Sequence, residues 1–111
     1  MKKKELIDEV KEILKGLASY DPEYYEIGND RHYNKMRKDE LVRYIQQLKD
    51  RLSFTQRAKG INAHIISRAQ LKSIKTDLIV KSGVVCRNVG IGYVAERIAT
   101  EQDIRSMYVI V

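Results

Sequence analysis

Six basic residues, Arg51, Arg57, Lys59, Arg68, Lys72 and Lys75, fall between positions 51 and 76, and no Asp or Glu lies among them. Side chains of this type, gathered in this way, are suited to neutralising a polyanion, because phosphates that meet Lys or Arg release their condensed counterions. The formal net charge of +6 belongs to this half of the chain. Residues 1–50 hold eleven bases and eleven acids, whereas residues 51–111 hold ten bases and four acids. With a pI near 9.5, an acidic partner is the expectation.

Other chemistries find little support. His32 and His64 are the only histidines, and Asp30-x-His32 offers two ligands in a connecting segment, too few for a metal. Cys86 is the single cysteine, which excludes an internal disulfide and a zinc site built on paired cysteines. It lies in the strand-like run Val85-Cys86-Arg87 and reads as core; a nucleophile would need a neighbouring base and a depressed pKa. Asp39-Glu40 and Glu101-x-Asp103 sit where helices begin, and Gly90-Ile91-Gly92 lacks the third glycine and following helix of a phosphate loop. The expectation is a non-enzyme without metal or cofactor. No run approaches the roughly 18 apolar residues of a membrane helix. Glu5, Asp8, Glu9 and Glu12 interrupt the segment after Met1-Lys2-Lys3-Lys4 where a signal peptide would be apolar. A cytoplasmic protein with no membrane partner is expected.

The elements that would position these residues follow from periodicity. Leu6, Val10, Ile13, Leu14 and Leu17 form one stripe of a helix over 2–19. Asp21-Pro22 stops it. Residues 20–35 read as a connector with a turn at Gly28-Asn29-Asp30, holding Tyr20, Tyr24, Tyr25 and Tyr33, whose rings are expected to pack onto the body in preference to serving as a contact surface. Leu41, Ile45, Leu48 and Leu52 mark a second helix over 38–58, with acids in its first turn, bases at its end and Gly60 as its stop. Met1–Ile7 and Met36–Val42 are similar in sequence, as two amphipathic helices with similar beginnings would be. Within 61–82 a further helix is expected, capped by Ser67, with Leu71, Ile74 and Leu78 as its apolar stripe. Val84-Val85-Cys86 and Tyr93-Val94-Ala95 form a hairpin around Asn88–Gly92, a short helix opens at Thr100 or Glu101, and the apolar run Met107–Val111 ends the chain as a strand. Left unpaired, that strand would invite aggregation, so it should pair within the fold or across a dimer. The fold class is α+β, a helical N-terminal two-thirds followed by a C-terminal β-hairpin and terminal strand. The expected organisation is one compact domain overall, made of an N-terminal helix plus Tyr-rich connector over 1–35 and a helix pair with hairpin over 36–111.

Residues 66–93 resemble the second half of a winged helix-turn-helix domain, as found in transcriptional response regulators and small phage or mobile-element DNA-binding proteins. The resemblance rests on Ile66-Ser67 before a helix, on Leu78 followed by Gly83-Val84 entering a strand, and on Gly90-Ile91-Gly92-Tyr93 opening the next strand. It implies a recognition helix bearing Arg68, Gln70, Lys72 and Lys75 at a major groove, and a wing bearing Arg87. Arg57 and Lys59 would add phosphate contacts. The partner implied is double-stranded DNA, bound by a homodimer. A second function class remains open: a phage-type inhibitor or adaptor that docks on a host protein or nucleoprotein through Tyr20, Tyr24, Tyr25 and Tyr33, since tyrosine is frequent among interface anchors. RNA binding is less supported, because Phe54 is the one aromatic in the basic stretch available to stack on bases.

Overall fold

The computed structural model describes residues 2–111. The chain is α+β and divides into two compact units, Met1–Leu52 and Ser53–Val111. The division falls inside a long helix.

The first unit is helical. Helix α1 (Lys3–Ala18) buries Leu6, Val10, Ile13, Leu14 and Leu17, the stripe expected from the sequence. Helix α2 (Glu23–Asp30) and a 3-10 turn (His32–Lys35) occupy the segment expected to be a connector. Asp21-Pro22 therefore ends one helix and starts the next. Pro22 at the N-cap, with φ −56°, is already set for helix, and the buried Asp21 accepts a 3.0 Å bond at Oδ1 from the Glu23 N–H. The expected turn at Gly28-Asn29-Asp30 is the last turn of α2, which ends at Arg31 in the left-handed region, φ 56°. Helix α3 (Lys38–Gly60) begins at the position in the repeat equivalent to the start of α1; Met1 itself lies outside the described residues. Leu41, Ile45 and Leu48 are buried as expected. Close approach to α1 is marked by Gly16, where an added Cβ would lie 3.3 Å from Leu52 Cδ2, and by an ion pair of 2.6 Å between Lys49 and Glu9.

The second unit is a five-stranded mixed sheet: β1 (His64–Ile66), β2 (Leu78–Lys81), β3 (Val84–Asn88), β4 (Tyr93–Ile98) and β5 (Tyr108–Ile110). Their order is β1-β5-β2-β3-β4. Strands β2, β3 and β4 form an antiparallel meander, and β5 inserts parallel between β1 and β2. Helix α4 (Arg68–Leu71) joins β1 to β2, and α5 (Glu101–Ser106) joins β4 to β5. The terminal strand pairs within the fold, and Val109, Ile110 and Val111 are buried.

Alternation along the strands makes two cores. One face presents Val80, Val85 and Val109 to Phe54 and Ala58 of α3 and to Ile104 of α5. The other presents Ile66, Ile79, Cys86 and Ile110 to Leu71, Ile74 and Tyr93. Cys86 is buried, consistent with its reading as core.

The helix expected within 61–82 is the main departure. Its place is taken by β1, the four-residue α4, a link and β2. A helix would align Leu71, Ile74 and Leu78 on one stripe, but the strand sends Leu78 to the α3 side and Ile79 to the other. Burying Ile65, Ile66, Ile79 and Val80 on both faces of a sheet suits β-branched side chains better than one amphipathic stripe does. Ser82 and Gly83, at φ 50° and 82°, form the two-residue link between β2 and β3, the positive-φ pair that a type I′ hairpin needs. The expected hairpin at 88–92 is present as β3–β4, where Asn88 Oδ1 accepts a 2.8 Å bond from the Gly90 N–H.

Candidate nucleic-acid interface

The basic residues of the second unit are divided by its sheet. Arg57 and Lys59 are exposed near the end of α3, on the side that Phe54 and Ala58 cover; the Arg57 guanidinium lies 5.5 Å from the centre of the Phe54 ring. Arg87 pairs with Leu78 in the ladder and so belongs to the same side. Arg68, Lys72 and Lys75 lie in α4 and the link after it, the segment whose Leu71 and Ile74 cover the opposite core. Lys81, two residues after Ile79 and aligned with Ile110, points to that side as well.

Acids answer the bases on the α3 side. Arg87 Nε donates to Glu96 Oε1 at 2.6 Å, and this bond raises the Arg87 pKa and lowers that of Glu96. Arg105 meets Glu101 at 2.6 Å. Arg97 grips Asp103 with both terminal nitrogens, Nη2 to Oδ1 at 2.9 Å. Asp103 also closes the capping box of α5, accepting from the Thr100 N–H at 2.9 Å and from the Thr100 hydroxyl at 3.0 Å. The Arg97 bond above all, then the Thr100 N–H, holds this carboxyl well below the usual carboxylate range. The wing arginine of the sequence reading is thus locally neutralised. On the α4 side the situation is reversed: Lys72, Lys75 and Lys81 are exposed, and none of the ion pairs among the described residues includes them.

Two residues assigned to a recognition helix are otherwise engaged. Gln70 is the N3 residue of a capping box: its Oε1 accepts from the Ser67 N–H at 2.8 Å while its own N–H donates to Ser67 Oγ at 3.3 Å. Arg68 is half-buried, with Nε and Nη2 shielded from solvent. A helix of four residues presents little more than one turn, so a groove-reading surface along Arg68, Lys72 and Lys75 is not formed. Sequence reasoning missed Lys81. Its signal was the β-branched pair Ile79-Val80 just before it, since a strand there puts Lys81 on the same face as Ile79.

The tyrosine surface is also reduced. Tyr24 and Tyr33 are each 1% exposed, Tyr20 is half-buried, and Tyr25 alone is open, at 66%. The Tyr33 hydroxyl donates to the Gly28 carbonyl at 2.8 Å, and Arg51 Nη1 donates to the Tyr24 hydroxyl at 3.0 Å. These rings are core with a satisfied polar tip. His32 meets Asp30 Oδ2 at 3.6 Å and packs edge-on against Tyr33 and Tyr44. Burial raises the pKa of Tyr44. Among the described residues no helix is long and apolar enough to cross a membrane. No protein-family model, curated protein or solved structure matches this chain.

Proposed function

We propose that this protein binds double-stranded DNA through the α4 side of its C-terminal sheet. The observation that carries this is the set of exposed lysines there, Lys72, Lys75 and Lys81, which none of the ion pairs among the described residues includes. Each is a mobile point charge suited to a phosphate oxygen, and three of them on one side of a rigid sheet give a backbone-tracking contact without base selection. The winged-helix resemblance would add base reading from α4. Because Gln70 is held in a capping box and Arg68 is half-buried, the contact assigned here is to phosphate.

The test is fluorescence anisotropy with random-sequence duplex across a salt series. Lys72→Glu, Lys75→Glu and Lys81→Glu together should weaken binding by at least about tenfold and flatten the salt slope by about 0.9 for each phosphate no longer neutralised. Reversing Lys4, Lys35 and Lys38 changes net charge equally and should leave most of the affinity in place. Equal losses from the two triple variants would reduce the effect to net charge and sink the assignment.

A further inference from the structure

A cavity of about 310 Å³ opens in the first unit, among α1, α2 and the 3-10 turn. Its volume is at the lower end for sites that hold a small molecule. The buried Leu14, Tyr24 and Tyr33 form part of its lining, and the exposed Tyr25 contributes a ring. Lys11, Lys15 and Arg31 also line it, and no Asp or Glu does. Lys11 and Lys15 are one helical turn apart on α1, so their Cβ atoms are about 6 Å apart. Arg31 follows the last residue of α2 in the left-handed conformation, a geometry that side-chain-bearing residues seldom adopt.

Elsewhere in this unit bases meet acids: Arg37 with Glu40 at 3.0 Å, Arg43 with Asp39 at 3.5 Å and Lys49 with Glu9 at 2.6 Å. None of the ion pairs among the described residues includes Lys11, Lys15 or Arg31. Three like charges around one cavity repel each other until an anion joins them. An apolar aromatic lining beside those charges calls for an anion that also carries a flat ring.

The geometry points to a binding site for one nucleotide, its phosphate held by Lys11, Lys15 and Arg31 and its base against Tyr25. A guanidinium offers a planar fork to two phosphate oxygens, and the lysines add compact charge. The tyrosine ring offers a face to any base. The nucleotide comes either free or as a residue of a single strand, since both present the same phosphate and base. This site lies in the other unit from the lysines assigned to duplex DNA and shares no residue with them, so either assignment can fail alone.

The experiment is an amide NMR titration of the full chain with AMP, inorganic phosphate, adenosine and a 5′-phosphorylated thymidine octamer. AMP should shift amides within residues 11–33 and bind about tenfold more tightly than phosphate or adenosine. Lys11→Glu with Lys15→Glu should weaken AMP by at least about tenfold, and Tyr25→Ala should bring AMP down to the level of phosphate. All three side chains are exposed, so the fold should survive; if the double reversal does not fold, Lys15→Gln supplies the same comparison with a smaller loss. An octamer about tenfold tighter than AMP identifies a strand as the source, and an octamer no tighter than AMP identifies the free nucleotide. Absence of shifts around the cavity at millimolar AMP, equal binding of AMP and phosphate, or folded variants that bind as the parent does would each overturn the assignment.

Discussion

Asp103 shows how one side chain serves both a helix cap and an ion pair. Its carboxylate accepts from Arg97, from the Thr100 N–H and from the Thr100 hydroxyl, so the folded chain holds its pKa below the unfolded value of about 3.9. A depressed carboxyl contributes stability that is complete above the unfolded pKa and is lost as pH falls through the folded one. Thermal unfolding of Asp103→Asn should therefore lie below the parent at pH 7, and the gap should narrow below about pH 4. A gap that stays constant down to pH 2 would mean that the charge contributes nothing. In the other unit, Tyr33→Phe removes the bond to the Gly28 carbonyl and should cost about 1 kcal/mol in a urea titration. Residue types alone announced Asp103 as a helix-start acid, but not its partner Arg97, because the side on which Arg97 emerges depends on the register of β4 against β3, which shifts between Val85 and Cys86.

Among the elements, α1 and α3 were legible in the sequence because each carries a long apolar stripe, and the stripe survives whatever packs on it. Residues 61–82 were not. Leu71, Ile74 and Leu78 satisfy helical spacing, while the β-branched runs on either side satisfy strands, and local pattern does not arbitrate between short apolar segments. The arbiter was β5, which takes the place between β1 and β2 and pairs with both. The two-residue link between β2 and β3 is the local feature that was readable in hindsight, through Ser82-Gly83. Gly83→Ala tests it: a Cβ there meets the Phe54 ring no closer than 3.9 Å, so space is not the obstacle, but φ 82° is. The expected loss is about 1 kcal/mol, measured by chemical unfolding. An unchanged midpoint would show that the turn relaxes without cost.

For the whole molecule, two surface properties matter. One is the distribution of charge, with ion pairs on the α3 side of the sheet and unengaged lysines on the α4 side. The other is the outer edge of β4, a six-residue strand that ends the sheet order. Ile98, its last residue, is 84% exposed, and Ile91 at the hairpin tip is fully exposed. Open edges with apolar side chains template further strands. Light scattering against concentration should show association of the parent that Ile98→Lys suppresses, since lysine on an edge is a common block to such pairing. Parent and variant scattering alike would place the association elsewhere or rule it out.

The sequence by itself determined helices α1 and α3, the β3–β4 hairpin, the burial of Cys86 and the concentration of positive charge after residue 50, because each depends on short-range spacing or on composition. Only the tertiary structure decided which of the connector tyrosines are core, that 61–82 is mostly not helix, and that the bases fall on two sides of a sheet. Those outcomes depend on which distant strand lies alongside and which face it turns inward, and a one-residue difference in a strand reverses the side on which a charge emerges.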